Sequence, residues 1–453
     1  MKINKKIVKA LLLILMFFTP IVNADFQSVM EDYENQKYGT AYEGFLSTAK
    51  LGHQKSQFNL GVMYFQGQYV DKDINQAYAW MKLSMQNEEG IENQKKAFDV
   101  VKKKVVDIES AEKAYQAIEE MYSIDALKNS LLPVLKENSE SEEINLSKII
   151  QPIYPRMAAL KGIEGFARFE FNVDRSGSPR NIILVDYFPN NVFVRESFRV
   201  IPRWKIEVKE NFQSVKDYRV RYKMEYLMSK NSKTENSEKK LIDELLKNSN
   251  KETAVGLRNM AYLLLYPSLN KDNINPYKLF LQAAMQGDPE AQYKIGLCLN
   301  YEIRCEIDLD KSKQWLTLAA NNGYEKAKLK LAVVLSKGNT VEAHRQALIY
   351  MEEVKEKDLY SEYMYAWMLV TSPYEEISNP QKAIDIINTA ENILYVDQVT
   401  IREIKAAAYA ALGNFEDAIN YQTEALELAE ENGFSLETIK EHLEAYQNNS
   451  KWF

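Results

Sequence analysis

The chain has 453 residues, 46% of them hydrophobic and 27% charged, with a formal net charge of −7 and three His. That length predicts two or three domains, each able to bury a core. An acidic balance without a basic stripe argues against nucleic acid as the main partner.

The first 24 residues have the pattern of a secretory signal. Lys2, Lys5, Lys6 and Lys9 form a basic n-region, Ala10 to Phe18 is an unbroken apolar run, and Pro20 ends it. Val22-Asn23-Ala24 then offers a small-residue cleavage site. Residues 1–24 are therefore expected to be a signal peptide that is removed on export. The alternative is an uncleaved anchor, although a spanning helix needs about 20 apolar residues.

Residues 25–136 carry a helical repeat. Ala41-Tyr42 recurs as Ala77-Tyr78, and between them stand Ala49-x-x-Gly52, Leu60-Gly61-x-x-Tyr64 and Gly67. Residues 91–132 are charged, contain Ala and are free of Pro, so they are expected to be helical as well. The run 137–146 has linker composition, as does 229–240. From 241 to 453 helical sequence returns. Ala283-Ala284-x-x-Gly287-x-x-x-Ala291 recurs as Ala319-Ala320-x-x-Gly323-x-x-x-Ala327. Small residues at helical spacing let two antiparallel helices approach. Gly52, Gly287 and Gly323 fall where a helix must end and turn. Large residues such as Leu60, Trp80, Trp315 and Leu331 are expected to fill the interfaces. A helix pair of this kind cannot bury its apolar face alone, so pairs stack into an α-solenoid.

The middle segment, 147–228, breaks that period. Phe169, Phe171 and Val173 alternate with Arg168, Glu170 and Asn172, as in a half-buried strand. Asp174-Arg-Ser-Gly177 makes a turn, and Ile182 to Tyr187 gives a second strand, so the pair is a predicted hairpin. Val192 to Trp204 suits a helix, with Phe193, Ser197, Val200 and Trp204 on one face. Tyr218 to Tyr226 is a third strand by strict alternation. Before the hairpin, Tyr154 to Leu160 suits a short helix whose first turn tolerates Pro155. The predicted order is α-β-β-α-β, and the fold class is multidomain, with helix-turn-helix solenoids on both sides of a small α+β domain.

Three resemblances follow from these residues. Segments 41–80 and 277–335 resemble Sel-like repeats of the tetratricopeptide superfamily. Ala406 to Leu428 resembles a tetratricopeptide repeat, with Tyr409, Leu412-Gly413, Phe415, Ala418 and Tyr421 at that family's spacings. The middle segment resembles the C-terminal domain of the TonB family through Gln151-Pro152-x-Tyr154-Pro155, Ala158, Gly162, Gly165, Phe171, Val173, Gly177, Pro189, Phe193 and Trp204.

The TonB resemblance implies a periplasmic location, with attachment to membranes through partners; an uncleaved N-terminus would instead anchor the chain in the inner membrane, facing the periplasm. It also implies a mode of partner binding. A short segment of an outer-membrane TonB-dependent receptor, or of another transport complex, would add as a strand beside Tyr218–Tyr226. Gln151 and Tyr154 would lie near that segment, and Tyr218, Arg219, Val220, Arg221, Tyr222 and Lys223 would form the edge. The cations Arg219, Arg221 and Lys223 would favour an acidic peptide. The repeats would bind further, unidentified protein partners.

Three departures stand against a complete energy transducer: no His in the N-terminal segment, no Pro-rich spacer, and more than 200 residues after the middle domain. A general periplasmic repeat scaffold for envelope assembly, or an anchored energy transducer if the N-terminus is kept, are the alternative functions. Export would favour pairing of Cys298 with Cys305, and closing so short a loop contributes about 2–3 kcal/mol by loop-closure entropy. No Ser/His/Asp grouping, phosphate loop, dinucleotide fingerprint or metal-ligand spacing is visible, so neither an enzyme nor a cofactor is expected. His53, His344 and His442 are far apart in the chain.

Overall fold

A computed structural model describes residues 25–86, 92–137, 146–173, 177–189, 191–206, 218–227, 253–265, 270, 274–354, 359–390, 398–432, 434 and 436–453. The expected signal peptide, most of linker 137–146, the whole of 229–240 and turn residues 174–176 lie outside it.

The described parts of Met1–Glu137 and Leu245–Tyr324 form one compact unit, and those of Asn138–Glu244 and Glu325–Phe453 form another. In the first unit the helices are α1 (Phe26–Glu34), α2 (Tyr38–Ala49), α3 (Gln54–Gln66), α4 (Ile74–Ser84), α5 (Glu92–Lys102), α6 (Ile108–Tyr122) and α7 (Ile124–Ser130). After the intervening segment come α10 (Ala254–Leu263), α11 (Tyr277–Met285), α12 (Pro289–Tyr301) and α13 (Leu309–Asn321). Local sequence sets their ends. Asp73, Asp107, Ser123, Thr253, Asp288 and Asp308 cap N-termini with their side chains. Gly52, Gly287 and Gly323 take positive φ where helices turn, as expected. Ala41, Ala77, Ala283, Ala291 and Ala319 are fully buried between helices, and Leu60, Trp80 and Trp315 fill the spaces between them.

The repeats on either side of the middle segment pack on each other. The Trp315 indole of α13 donates to the Leu131 carbonyl at 2.9 Å. The Lys311 ammonium donates to the carbonyls of Lys128 and Leu132, at 2.7 and 3.0 Å, just where α7 ends. A cation over a helix C-terminus satisfies carbonyls that the helix itself leaves unpaired. The strand-like stretch after α7 joins in, with the Glu306 amide on the Val134 carbonyl and the Lys136 amide on the Arg304 carbonyl, each at 2.9 Å.

In the second unit, α8 (Arg156–Lys161), β2 (Gly165–Val173), β3 (Pro179–Phe188), α9 (Val194–Val200) and β5 (Tyr218–Tyr226) match the expected order. The sequence reading missed β1 (Leu146–Lys148) and β4 (Lys205–Ile206), which pair antiparallel. Three and two residues are too short to show a period. The predicted helix 192–204 is in fact a short α-helix flanked by 3₁₀ turns at Asn191–Phe193 and Ile201–Arg203. Its four expected inward residues, Phe193, Ser197, Val200 and Trp204, are all buried. The unit is completed by α14 (Glu325–Leu335), α15 (Val341–Val354), α16 (Leu359–Thr371), α17 (Pro380–Ala390), α18 (Gln398–Ala411), α19 (Phe415–Glu431) and α20 (Glu437–Gln447). Within the segment resembling a tetratricopeptide repeat, α18 packs on α19 through Ala406, Ala418 and Ala425, and the Tyr409 and Tyr421 rings stack at 5.4 Å.

Candidate partner-binding edge

The three-stranded antiparallel sheet runs β3-β2-β5. Its strands β2 and β5 pair without a break from Gly165 opposite Tyr226 to Val173 opposite Tyr218. One face carries the core: Ala167, Phe169, Phe171, Val173, Val220, Met224 and Tyr226, covered by Ala158, Phe193, Val200 and Trp204. Alternation along the strands puts every second side chain on that face. Among the described residues, no strand pairs with the other side of β5. Its outward N–H and C=O groups therefore form an edge suited to an added strand.

Two signature glycines are required by close backbone approach. A Cβ on Gly165 would stand 2.0 Å from the Phe188 carbonyl oxygen. A Cβ on Gly177, at φ +79°, would stand 2.3 Å from the Ile206 oxygen. The Gly177 carbonyl accepts the Ile206 amide at 2.8 Å, which ties the hairpin turn to β4.

Two hydrogen bonds anchor the stretch from Ile150 to Tyr154, and Tyr154 meets the end of β5 through Tyr226. The Trp204 indole donates to the Ile150 carbonyl at 3.0 Å, and the Tyr154 hydroxyl donates to the Ile163 carbonyl at 2.6 Å. The Tyr154 ring meets Phe193 and Tyr226 edge-on, 5.7 Å from each. Tyr154 is thus half-buried and structural in its ring contacts, while Gln151 is exposed. Tyr226, a residue the sequence reading did not single out beyond its strand, joins the two parts. Its hydroxyl shares a 2.8 Å bond with Ser197, and its ring stacks on Phe193 at 4.3 Å. Burial pushes the Tyr226 hydroxyl up to about 12, against the Ser197 hydrogen bond, so it stays protonated.

The expected edge residues divide by face. Val220 is fully buried in the core and offers a partner only its backbone. Tyr222 is half-buried, its ring edge-on to Trp204 at 5.0 Å. Tyr218 and Arg219 belong to β5 by backbone, and their side chains lie outside the described residues. Arg221 and Lys223 point to the opposite face, where carboxylates already meet them. Arg221 Nε is 3.1 Å from an oxygen of Glu170, itself buried, and Lys223 Nζ is 2.6 Å from Glu225. Lys223 also stands 4.8 Å from the centre of the Phe166 ring. Both cations thus have carboxylate partners within the sheet.

Elsewhere the structure brings Cys298 and Cys305 together as a pair, both buried, with Cα atoms 5.8 Å apart. Among the described residues, no group of three or more His, Cys, Asp or Glu is placed to hold a metal ion. No helix among them is long and apolar enough to cross a membrane.

The middle domain is thus an edge-bearing sheet beside a small helical layer, carried between helical repeats in the chain. The comparisons name the modules. Residues 150–226 match the family described as Gram-negative bacterial TonB protein C-terminal, and residues 54–85, 254–288 and 289–324 match the Sel1 repeat. The chain thus carries a TonB C-terminal-like domain flanked by Sel1-repeat regions. It is similar to Protein TonB of Yersinia enterocolitica, with 31% identity over 68 residues, which is 15% of this chain and 25% of that protein. The chain therefore spans a quarter of the length of the curated relative it matches. Two solved repeat proteins are similar at 14% identity. One is a protective antigen of uropathogenic Escherichia coli with an SLR fold, covering 94% of this chain and 79% of its own at a TM-score of 0.33. The other is a Sel1 repeat protein from Oxalobacter formigenes, covering 81% and 98% at 0.29.

Proposed function

We propose that this protein is an exported adaptor of the periplasm in TonB-dependent transport. Its TonB-like domain takes up an extended segment of an outer-membrane TonB-dependent receptor, or of a transport complex, as a fourth strand beside β5. The single observation that supports this is the β5 edge, nine residues long and paired on one side only among the described residues. Backbone groups supply the affinity in such a pairing, and side chains flanking the edge supply selection. Gln151 is the exposed flanking group, while Tyr154 keeps the segment in place. The Sel1 repeats serve as a scaffold for further protein partners. The N-terminal segment is a cleaved signal, so the protein reaches membranes through those partners.

The test combines capture with hydrogen exchange. The exported protein is used as bait on solubilised outer membranes, and a TonB-dependent receptor is the expected catch. With the captured receptor's periplasmic segment added, backbone amides of 218–226 should gain protection while 54–85 stay unchanged. Binding without protection of β5 would refute strand addition, and failure to recover any transport component would refute the transport role. N-terminal sequencing of the exported chain should start at Asp25; a chain starting at Met1 would favour an inner-membrane anchor.

A further inference from the structure

The sheet has a second face, opposite the α8/α9 core. Polar residues of β2 point to it as they would to water, yet Glu170 is 4% exposed and Asp186 of β3 is 6% exposed. What reaches this region is α14, the first helix of the repeats that follow in this unit. Lys330 of α14 is itself buried, and its ammonium donates to the Leu184 carbonyl of β3 at 2.9 Å. One turn earlier, Lys326 places its ammonium 4.4 Å from the centre of the Tyr187 ring. A separate tie lies near the end of α9, where Arg203 Nε donates to the Asn432 carbonyl after α19, at 3.0 Å.

We propose that the outer sheet face is a docking surface for the chain's own C-terminal repeats, and that Lys330 is the pin that holds it there.

The chemistry of the cluster supports this role. Lysine is almost never fully buried unless paired. Two carboxylates act on Lys330, Glu170 from β2 and Asp186 from β3. Glu170 is also engaged by Arg221 of β5, and Asp186 accepts the Tyr187 amide at 2.9 Å. Burial drives the Lys330 ammonium down to about 8, and the two carboxylates pull against that shift. A buried ionic cluster adds little net stability, but removing one member strands the others, so it specifies one register of docking. The pin acts whether or not a partner adds to β5, so this inference and the proposed function can fail separately.

The sign of the pH effect follows from linkage. The docked lysine gives up its proton near pH 8, whereas a solvated one holds it to about 10.4. The docked state therefore binds the proton less readily, and docking strengthens as pH rises through 8. The docking equilibrium should change about tenfold between pH 7 and pH 9.

The experiment uses the full chain and reads hydrogen-exchange protection factors, corrected for intrinsic rates, at 179–188 and 325–335. Residues 54–85 serve as the internal reference. Wild type should show the tenfold rise in both segments, and Lys330→Met should abolish it. Lys330→Glu, which sets a third carboxylate against Glu170 and Asp186, should lower protection in both segments more than tenfold. If Lys330→Glu fails to fold, Lys330→Met still decides, because a step that comes from any other titrating group would survive the loss of the ammonium. A flat wild-type profile, or a step that survives in Lys330→Met, would overturn the proposal.

Discussion

Trp204→Phe tests how the middle domain holds the segment 150–154. Trp204 is 1% exposed, meets Phe171 and Tyr222 edge-on, and donates its indole N–H to the Ile150 carbonyl at 3.0 Å. Truncating a buried Trp to Ala costs about 3–5 kcal/mol. Phe keeps the six-membered ring, so roughly a third of that cost applies. The lost hydrogen bond adds about 1 kcal/mol. Gln151 beside the freed carbonyl is exposed, so water can reach it and the total stays near 2 kcal/mol. The two units need not unfold together, so local hydrogen exchange is the appropriate assay. Opening free energies across 165–173 and 218–226 should fall by about 2 kcal/mol, a roughly 30-fold faster exchange. Amides at 150–154 should loosen at least as much, because their tether is gone, and 25–86 should not change. Unaltered exchange at 150–154 would refute the reasoning that the Trp204 indole anchors this segment.

Two glycines at similar positive φ should respond differently to Ala. Gly177→Ala drives a Cβ to 2.3 Å from the Ile206 oxygen and should abolish folding of the middle domain, whereas Gly323→Ala meets nothing within 4 Å and should cost only the backbone strain, about 1–2 kcal/mol, by thermal denaturation. Asp288, which caps α12 and pairs with Arg258 at 2.6 Å, is pushed up to about 6 by burial, although Arg258 pulls it down. Its folded value exceeds its unfolded one, so the folded state gains from protonation, and opening free energies at 289–301 should rise by about 1 kcal/mol as pH falls from 7 to 5. Asp288→Asn should abolish that rise. Alkylation of the exported, non-reduced protein should leave Cys298 and Cys305 unmodified by mass, and Cys298→Ser with Cys305→Ser should cost about 2–3 kcal/mol by denaturant titration.

The local elements were legible in the sequence because each is set by neighbours in the chain. Alternation in 169–173 and 218–226 specified strands with one wet and one dry face, and Ala, Gly and capping residues specified the helix pairs. Gly162, Gly165 and Gly177 answer backbone constraints, positive φ at the first and last and close approach at the second, and Trp204 fills the core. What the sequence hid depends on contacts between segments far apart. The packing of α13 on α7 brings Trp315 to the Leu131 carbonyl, 184 positions away, and no local period records such a pairing. The charge on Arg221 could be counted, but its compensation by Glu170 needed strand register. Likewise Glu170 and Lys330 look like solvated residues on an alternating strand and a repeat helix. Only tertiary packing buries both and lets the charge of one act on the other, because burial changes the energy of a charge far more than any feature of its immediate sequence does.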